Sequence, residues 1–268
     1  MPRLVRLAVT TPLRPDPLEV EAARGAAERH GLPYVARDGR GLSRVVAEVG
    51  AEAALVLSAG RAVLSSGGAE HAWSPGMGAL RLRRYLDARA GRAADPTARD
   101  PFLDAAGIEP GDAVLDCTAG LGADALVAAA AAGPRGLVLA LESSRALAAW
   151  TGEGLRRFPA AAARRVEVRC ADHLEHLRSA AARSFDVVVF DPMFRQARAE
   201  PGGFEVVRRL SDPRPLSPEA LAEARRVARR LVVVKDGAPG WDLARLGLTP
   251  LPSARGAHRY YARVAASG

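Results

Sequence analysis

Val114-Leu115-Asp116-Cys117-Thr118-Ala119-Gly120-Leu121-Gly122-Ala123-Asp124 passes from an apolar run, through a turn of small residues, into an alanine-rich stretch. This pattern predicts a strand ending in Asp116, a tight glycine turn and a helix opening at Ala123. Glycines at such a turn let a ligand approach the main chain, and the helix start offers unpaired N–H groups. A dinucleotide loop would carry three glycines as G-x-G-x-x-G, but Ala125 stands where the third would fall and an acid precedes the pair. A strand-end carboxylate repels a pyrophosphate and suits an ammonium group.

The surroundings of this loop repeat its grammar. Strands are expected at Ala113–Asp116, Gly136–Leu141, Val166–Cys170 and Phe185–Phe190, separated by helices at Ala123–Ala132, Ser144–Phe158 and Leu174–Ala182. A helix over Pro218–Arg230, a strand Leu231–Lys235, a helix Trp241–Leu246 and a strand near Arg259–Ala265 complete the series. Strands apolar on both faces that alternate with helices predict a parallel sheet covered on both sides.

Upstream, a second and smaller α/β unit is expected. Its elements are a strand Leu4–Thr10, a helix Pro17–His30 closed by Gly31, an extended Tyr34–Ala36 and a helix Leu42–Val49. A strand Ala53–Leu57, a hairpin Ala62–Trp73 turning at Gly67-Gly68 and a helix Met77–Ala88 follow. The Gly-, Pro- and charge-rich stretch Ala90–Pro101 divides the chain into residues 1–95 and 96–268.

Two further acids fall at expected strand ends, where open α/β sheets bind ligands. Glu142 lies twenty positions after Gly122, where a carboxylate can take two ribose hydroxyls. Asp172 can reach an adenine edge, or cap the helix from Leu174; the two uses can coexist. With them, D-x-x-x-G-x-G resembles motif I of the class I S-adenosylmethionine-dependent methyltransferases. Asp191-Pro192-Met193-Phe194 is similar to motif IV of the amino-methylating branch. An exocyclic amine has its lone pair drawn into the ring, so an acceptor must hold its N–H bonds and aim that pair at the donor methyl. In this resemblance Asp191 is the acceptor, Pro192 stiffens the turn and Phe194 stacks on an extruded base.

The runs Asp116–Ala125, Leu141-Glu142-Ser143-Ser144, Phe190–Phe194 and Val232–Lys235 further resemble the small-subunit ribosomal RNA guanine-N2 methyltransferases of the RsmJ type and their bacterial relatives. The likeness covers roughly residues 100–240. It implies a Rossmann-like, seven-stranded sheet in the order 3-2-1-4-5-7-6, with S-adenosylmethionine as cofactor and RNA as partner. It places cofactor contacts on Asp116, Thr118, Gly120, Gly122, Ala123, Asp124, Glu142, Ser143, Asp172, His173 and Asp191, and catalysis on Asp191, Pro192 and Phe194. The chain departs from that family at Ala123-Asp124 and Asp172-His173.

Charge and composition bound the rest. The 268 residues carry 38 basic and 30 acidic side chains, a formal +8, and Lys235 is the only lysine. This arginine surplus is read either as a solvated surface of a GC-rich coding sequence or as affinity for a polyanion. Arg81, Arg83 and Arg84 crowd one side of their expected helix, as a phosphate track or as a solvated face. The distant Cys117 and Cys170 support neither a disulfide framework nor a zinc cluster, and with no membrane-length apolar run the expected setting is cytoplasmic. His173 and His176 lack a third metal ligand at a sensible spacing, so no metal is expected. Lys235 is read as a strand-end contact to phosphate or base, and Trp150 and Trp241 as packing.

Overall fold

A computed structural model describes residues 5–93, 99–192, 204–252 and 259–267. The first sheet holds β1 (Leu7–Thr10), β2 (Ala53–Leu57), β3 (Ala62–Ser66) and β4 (Ala69–Ala72) in that spatial order. β1 and β2 run parallel because α1 (Pro17–His30) and α2 (Leu42–Glu48) carry the chain across between them. Asp16 starts α1 by accepting the Glu19 N–H while the Glu19 carboxylate accepts the Asp16 N–H. β3 and β4 form the hairpin expected at Gly67-Gly68, and Tyr34 adds a single parallel bridge to Val9. The first strand opens at Leu7, three residues later than the apolar run began.

α3 (Met77–Arg89) and α4 (Pro101–Ala106) lead into the second sheet, built from β5 (Ala113–Asp116), β6 (Leu137–Glu142), β7 (Val166–Cys170), β8 (Phe185–Phe190), β9 (Ala228–Gly237) and β10 (Arg259–Ala265). Its order is β10-β9-β8-β5-β6-β7, with β10 antiparallel to β9 and the other neighbours parallel. The helices are α5 (Ala123–Ala132), α6 (Arg145–Arg157), α7 (His173–Ser179), α8 (Phe204–Leu210), α9 (Pro218–Val227) and α10 (Trp241–Arg245). Counted from β5, the order 3-2-1-4-5 and the position of the final strand match expectation; that strand runs antiparallel in a sheet expected to be parallel, and a seventh strand is not formed among the described residues. Leu251 donates its N–H to the Tyr261 carbonyl at 2.7 Å beside β10, but Pro250 and Pro252 flank it. Without their N–H groups the segment cannot extend a ladder.

Two helices were not foreseen. α4 is a single turn and a half, capped by Asp100, which accepts from Phe102 and Leu103. α8 precedes α9, and α9 stops at Val227 rather than Arg230 because Ala228 already pairs with Phe185.

The two sheets are joined through α6. Ala146, Leu147, Ala149 and Trp150 of α6 pack with Leu55, Leu57 and Leu64 of the first sheet. The Trp150 indole donates to the Ala62 carbonyl at 3.2 Å, so its expected packing role is observed. Trp73 lies flat on α6 at Gly154, where an added Cβ would sit 2.0 Å from the indole; only a glycine admits the ring. Glu153, completely buried, gathers Arg29 and His30 from α1 and Arg157 from its own helix at 2.7–3.2 Å. Burial raises its proton affinity, but the hydrogen bonds from His30 and the arginines prevail and hold it down at about 2.

Candidate active site

The carboxyl ends of β5, β6 and β8 open onto one cleft, which is where a parallel sheet leaves its strand ends uncovered. The turn after β5 forms its floor. Ala119 and Gly122 are fixed by main-chain bonds, Ala119 N–H to the Leu141 carbonyl at 2.8 Å and Gly122 N–H to the Ala119 carbonyl at 2.7 Å. Gly122 has φ +77°, a left-handed conformation that costs glycine nothing, and it starts α5 without a side-chain cap. The Thr151 hydroxyl donates to the Gly120 carbonyl at 2.6 Å, anchoring the turn to α6.

Glu142 is the buried acid of the cleft wall. Its two oxygens accept the Gly120 N–H at 3.2 Å and the Ser144 N–H at 2.9 Å. Burial outweighs both bonds and pushes its carboxyl up to about 7. Across the cleft, the Asp191 N–H donates to the Thr118 hydroxyl at 2.6 Å, tying the end of β8 to the turn after β5. His173 stands edge-on to Phe190, ring centroids 5.7 Å apart, and burial lowers its pKa.

Of the expected site residues, the cleft gathers Thr118, Gly120, Glu142, Ser143, His173, Asp191 and Pro192. Gly122, Ala123 and Asp124 lie behind it in the turn and first turn of α5, and Asp116 is buried below, accepting the Thr118 N–H at 3.0 Å. Burial, with Asp124 and Asp191 close by, pushes Asp116 up to about 7. Asp172 performs the capping role left open in the sequence: it accepts from Leu174 and Glu175, and its other oxygen takes an Arg214 N–H at 2.6 Å. Phe194 lies outside the described residues.

Other placements differ from expectation. Lys235 does not face a ligand: it is buried and paired to Asp124 at 2.9 Å and to Asp191. Arg81 is turned away from solvent toward Asp100 and Asp124, whereas Arg83 and Arg84 are exposed, so the three do not share one face. Trp241 is 67% exposed rather than packed. The cleft also receives Ser211, Asp212 and Arg214 from the loop after α8, which sequence reading missed. Asp-Pro-Arg-Pro at 212–215 is a turn signal, but only the fold brings it opposite β6. Among the described residues no three metal-ligating side chains converge, and no helix is long and apolar enough to cross a membrane.

The donor set fits a cationic nucleoside with hydroxyls to bind. Glu142 keeps unused lone pairs on both oxygens, the charges of Asp191 and Asp212 are paired to Lys235 and Arg214, and apolar walls from Leu141, Phe190 and Leu216 suit a flat ring.

Comparison with known proteins gives the family. Residues 83–245 match the family model described as "Putative SAM-dependent methyltransferase". The Bacillus subtilis (strain 168) protein YpiP is 30% identical over 234 residues, spanning 85% of this chain and 88% of YpiP. Among solved structures, the SAM-dependent methyltransferase NGO1261 of Neisseria gonorrhoeae superposes with a TM-score of 0.59 at 21% identity, covering 97% of this chain and 96% of its own. The chain therefore belongs to the S-adenosylmethionine-dependent methyltransferase family.

Proposed function

We propose that this methyltransferase acts on nitrogen, methylating the exocyclic N2 amine of a guanine in small-subunit ribosomal RNA. The observation that carries the reading is Asp191-Pro192 at the end of β8, on the cleft, with an aspartate side chain 27% exposed and its backbone pinned to Thr118. S-adenosylmethionine supplies a methyl group already activated on a sulfonium. Glu142 would accept its ribose hydroxyls, and the main chain around Thr118, Gly120 and Ser143 would line its remaining length. Asp191 accepts the N–H bonds of the target amine and fixes the direction of its lone pair. Pro192 holds the turn rigid, and Phe194 is assigned to stacking on the base. The Asp191 carboxylate would then take up the extra proton of the methylated nitrogen. Burial raises the proton affinity of that carboxylate against the pull of Lys235.

Residues 1–95 form the proposed RNA-recognition unit and 96–268 the catalytic one; the formal +8 and the exposed Arg83 and Arg84 support an RNA partner. The test is nucleoside mass spectrometry of small-subunit RNA from cells with and without the gene. Loss of one N2-methylguanosine, restored by wild type and not by Asp191→Ala, is the expected result. An unchanged profile would remove the ribosomal assignment.

A further inference from the structure

Four side chains of alternating charge run in series from the first segment of the protein to the cleft. Arg81 of α3 donates through Nη1 to Asp124 Oδ1 at 2.5 Å; Asp124 Oδ2 accepts from Lys235 Nζ at 2.9 Å; and Lys235 Nζ donates again to Asp191 Oδ2. The side chains of Arg81, Asp124 and Lys235 are 19%, 7% and 8% exposed, while Asp191 is the one that opens to the cleft. Arg81 is itself fixed from behind by two bonds to Asp100, at 2.7 and 3.0 Å, and Asp100 caps α4. α3 also lies close on the start of α5, since a Cβ at Gly78 would stand 2.9 Å from Ala123 Cα.

Burying four charges costs more desolvation energy than their attraction returns unless geometry is well satisfied, so such a series is a poor choice for stability alone. A charge-assisted series does, however, fix the position of its last member. We infer that Lys235 holds the Asp191 carboxylate in place and ionised, and that Asp124 and Arg81 are positioning residues that fix Lys235, so that helix α3 of the first segment sets the state of the acceptor-binding group. This rests on the reading that Asp191 binds the amine. Of the three, Lys235 alone touches Asp191; Asp124 and Arg81 act through it. The other groups bearing on Asp191 are Asp116 from β5 and Arg259 from β10, with Tyr261 of β10 facing Lys235.

The test follows Asp191 itself. In full-length protein labelled with 13C at the aspartate carboxyls, its resonance is assigned by comparison with Asp191→Asn. Arg81→Met is expected to raise the Asp191 titration midpoint by about one unit. The acidic limb of the pH–rate profile, measured as tritiated methyl transfer to small-subunit RNA lacking the modification, is expected to move up by the same amount. At pH below both midpoints kcat falls about tenfold while the KM for S-adenosylmethionine stays within about twofold, and Arg81→Lys recovers most of the loss. Asp100→Asn, which keeps the Arg81 charge but loosens it, gives a smaller shift in the same direction and serves if Arg81→Met does not fold. An Asp191 midpoint unmoved in the folded variants would overturn the inference, even with methyl transfer intact. A midpoint shift in Arg81→Met alongside a wild type that transfers nothing to this RNA would leave the series standing and remove the substrate reading alone.

Discussion

The main-chain N–H of Asp191 donates to the side-chain hydroxyl of Thr118 across the cleft, at 2.6 Å. One hydroxyl thus joins the turn after β5 to the end of β8, the two places where cofactor and acceptor are expected to meet. Thr118→Val keeps the shape and removes the acceptor of this bond. It is expected to cost about 1–2 kcal/mol of stability in urea unfolding and to lower kcat more than cofactor affinity. Thr118→Ser, which keeps the oxygen, is expected to stay near wild type.

The unliganded protein is expected to lose stability as pH rises toward 8. Asp116 and Glu142 are both pushed up to about 7 by burial, from ordinary values of 3.8 and 4.5. Each therefore holds a proton more tightly folded than unfolded. Their contribution is complete below the unfolded values and is lost as pH rises through about 7. Melting temperatures measured from pH 5 to 8 will check this, with a shallower decline expected for Asp116→Asn and Glu142→Gln.

The same Glu142 carboxyl links pH to cofactor binding. A ligand that needs the ionised carboxylate must displace its proton below about pH 7. S-adenosylmethionine binding is then expected to release protons at pH 6. Calorimetry in two buffers of different ionisation enthalpy reads that release directly, and Glu142→Gln is expected to abolish it while weakening binding about tenfold or more.

Glu153→Gln tests the junction of α1 and α6. It leaves Arg157, only 10% exposed, and His30 without their buried anion. Removing one partner of a buried cluster costs roughly 3 kcal/mol or more, to be read by chemical denaturation. Because Glu153 is held down at about 2, its contribution is present above about pH 4.5 and is lost as pH falls toward 2, opposite in sign to that of Asp116 and Glu142.

Gly154→Ala is expected to destabilise the protein by about 2 kcal/mol, despite alanine's better helix propensity, because the added methyl overlaps the Trp73 ring. Differential scanning calorimetry of the single variant, and of Gly154→Ala with Trp73→Leu, checks the mechanism: the second substitution is expected to return part of the loss.

Much of the second sheet could be read from the chain because its signals are local. Asp116 ends its strand, Gly122 opens α5, and Ser144 and Asp172 cap α6 and α7 where short-range rules put them. What escaped depends on distance. Arg81 and Lys235, the partners of Asp124, lie 43 and 111 positions away from it. Arg214 enters the cleft from a loop with no periodicity, and α4 is too short to show any. Lys235 invited a reading as a free strand-end cation because sequence shows its position and not its burial. Asp172 admits both readings because a cap and a cleft-edge acid ask for the same residue at the same place.

The contact between Trp73 and Gly154 also constrains how this chain can change over time. An indole resting on bare helix backbone leaves neither position free to drift first: any side chain at 154 collides, and a smaller residue at 73 opens a void on α6. Substitutions at these sites must arrive together, and the partners lie on opposite sides of the stretch proposed as the boundary between the two units. The first hundred residues are thereby tied to the rest by contact, and recombination with a foreign N-terminal segment would have to bring its own matching residue for Gly154.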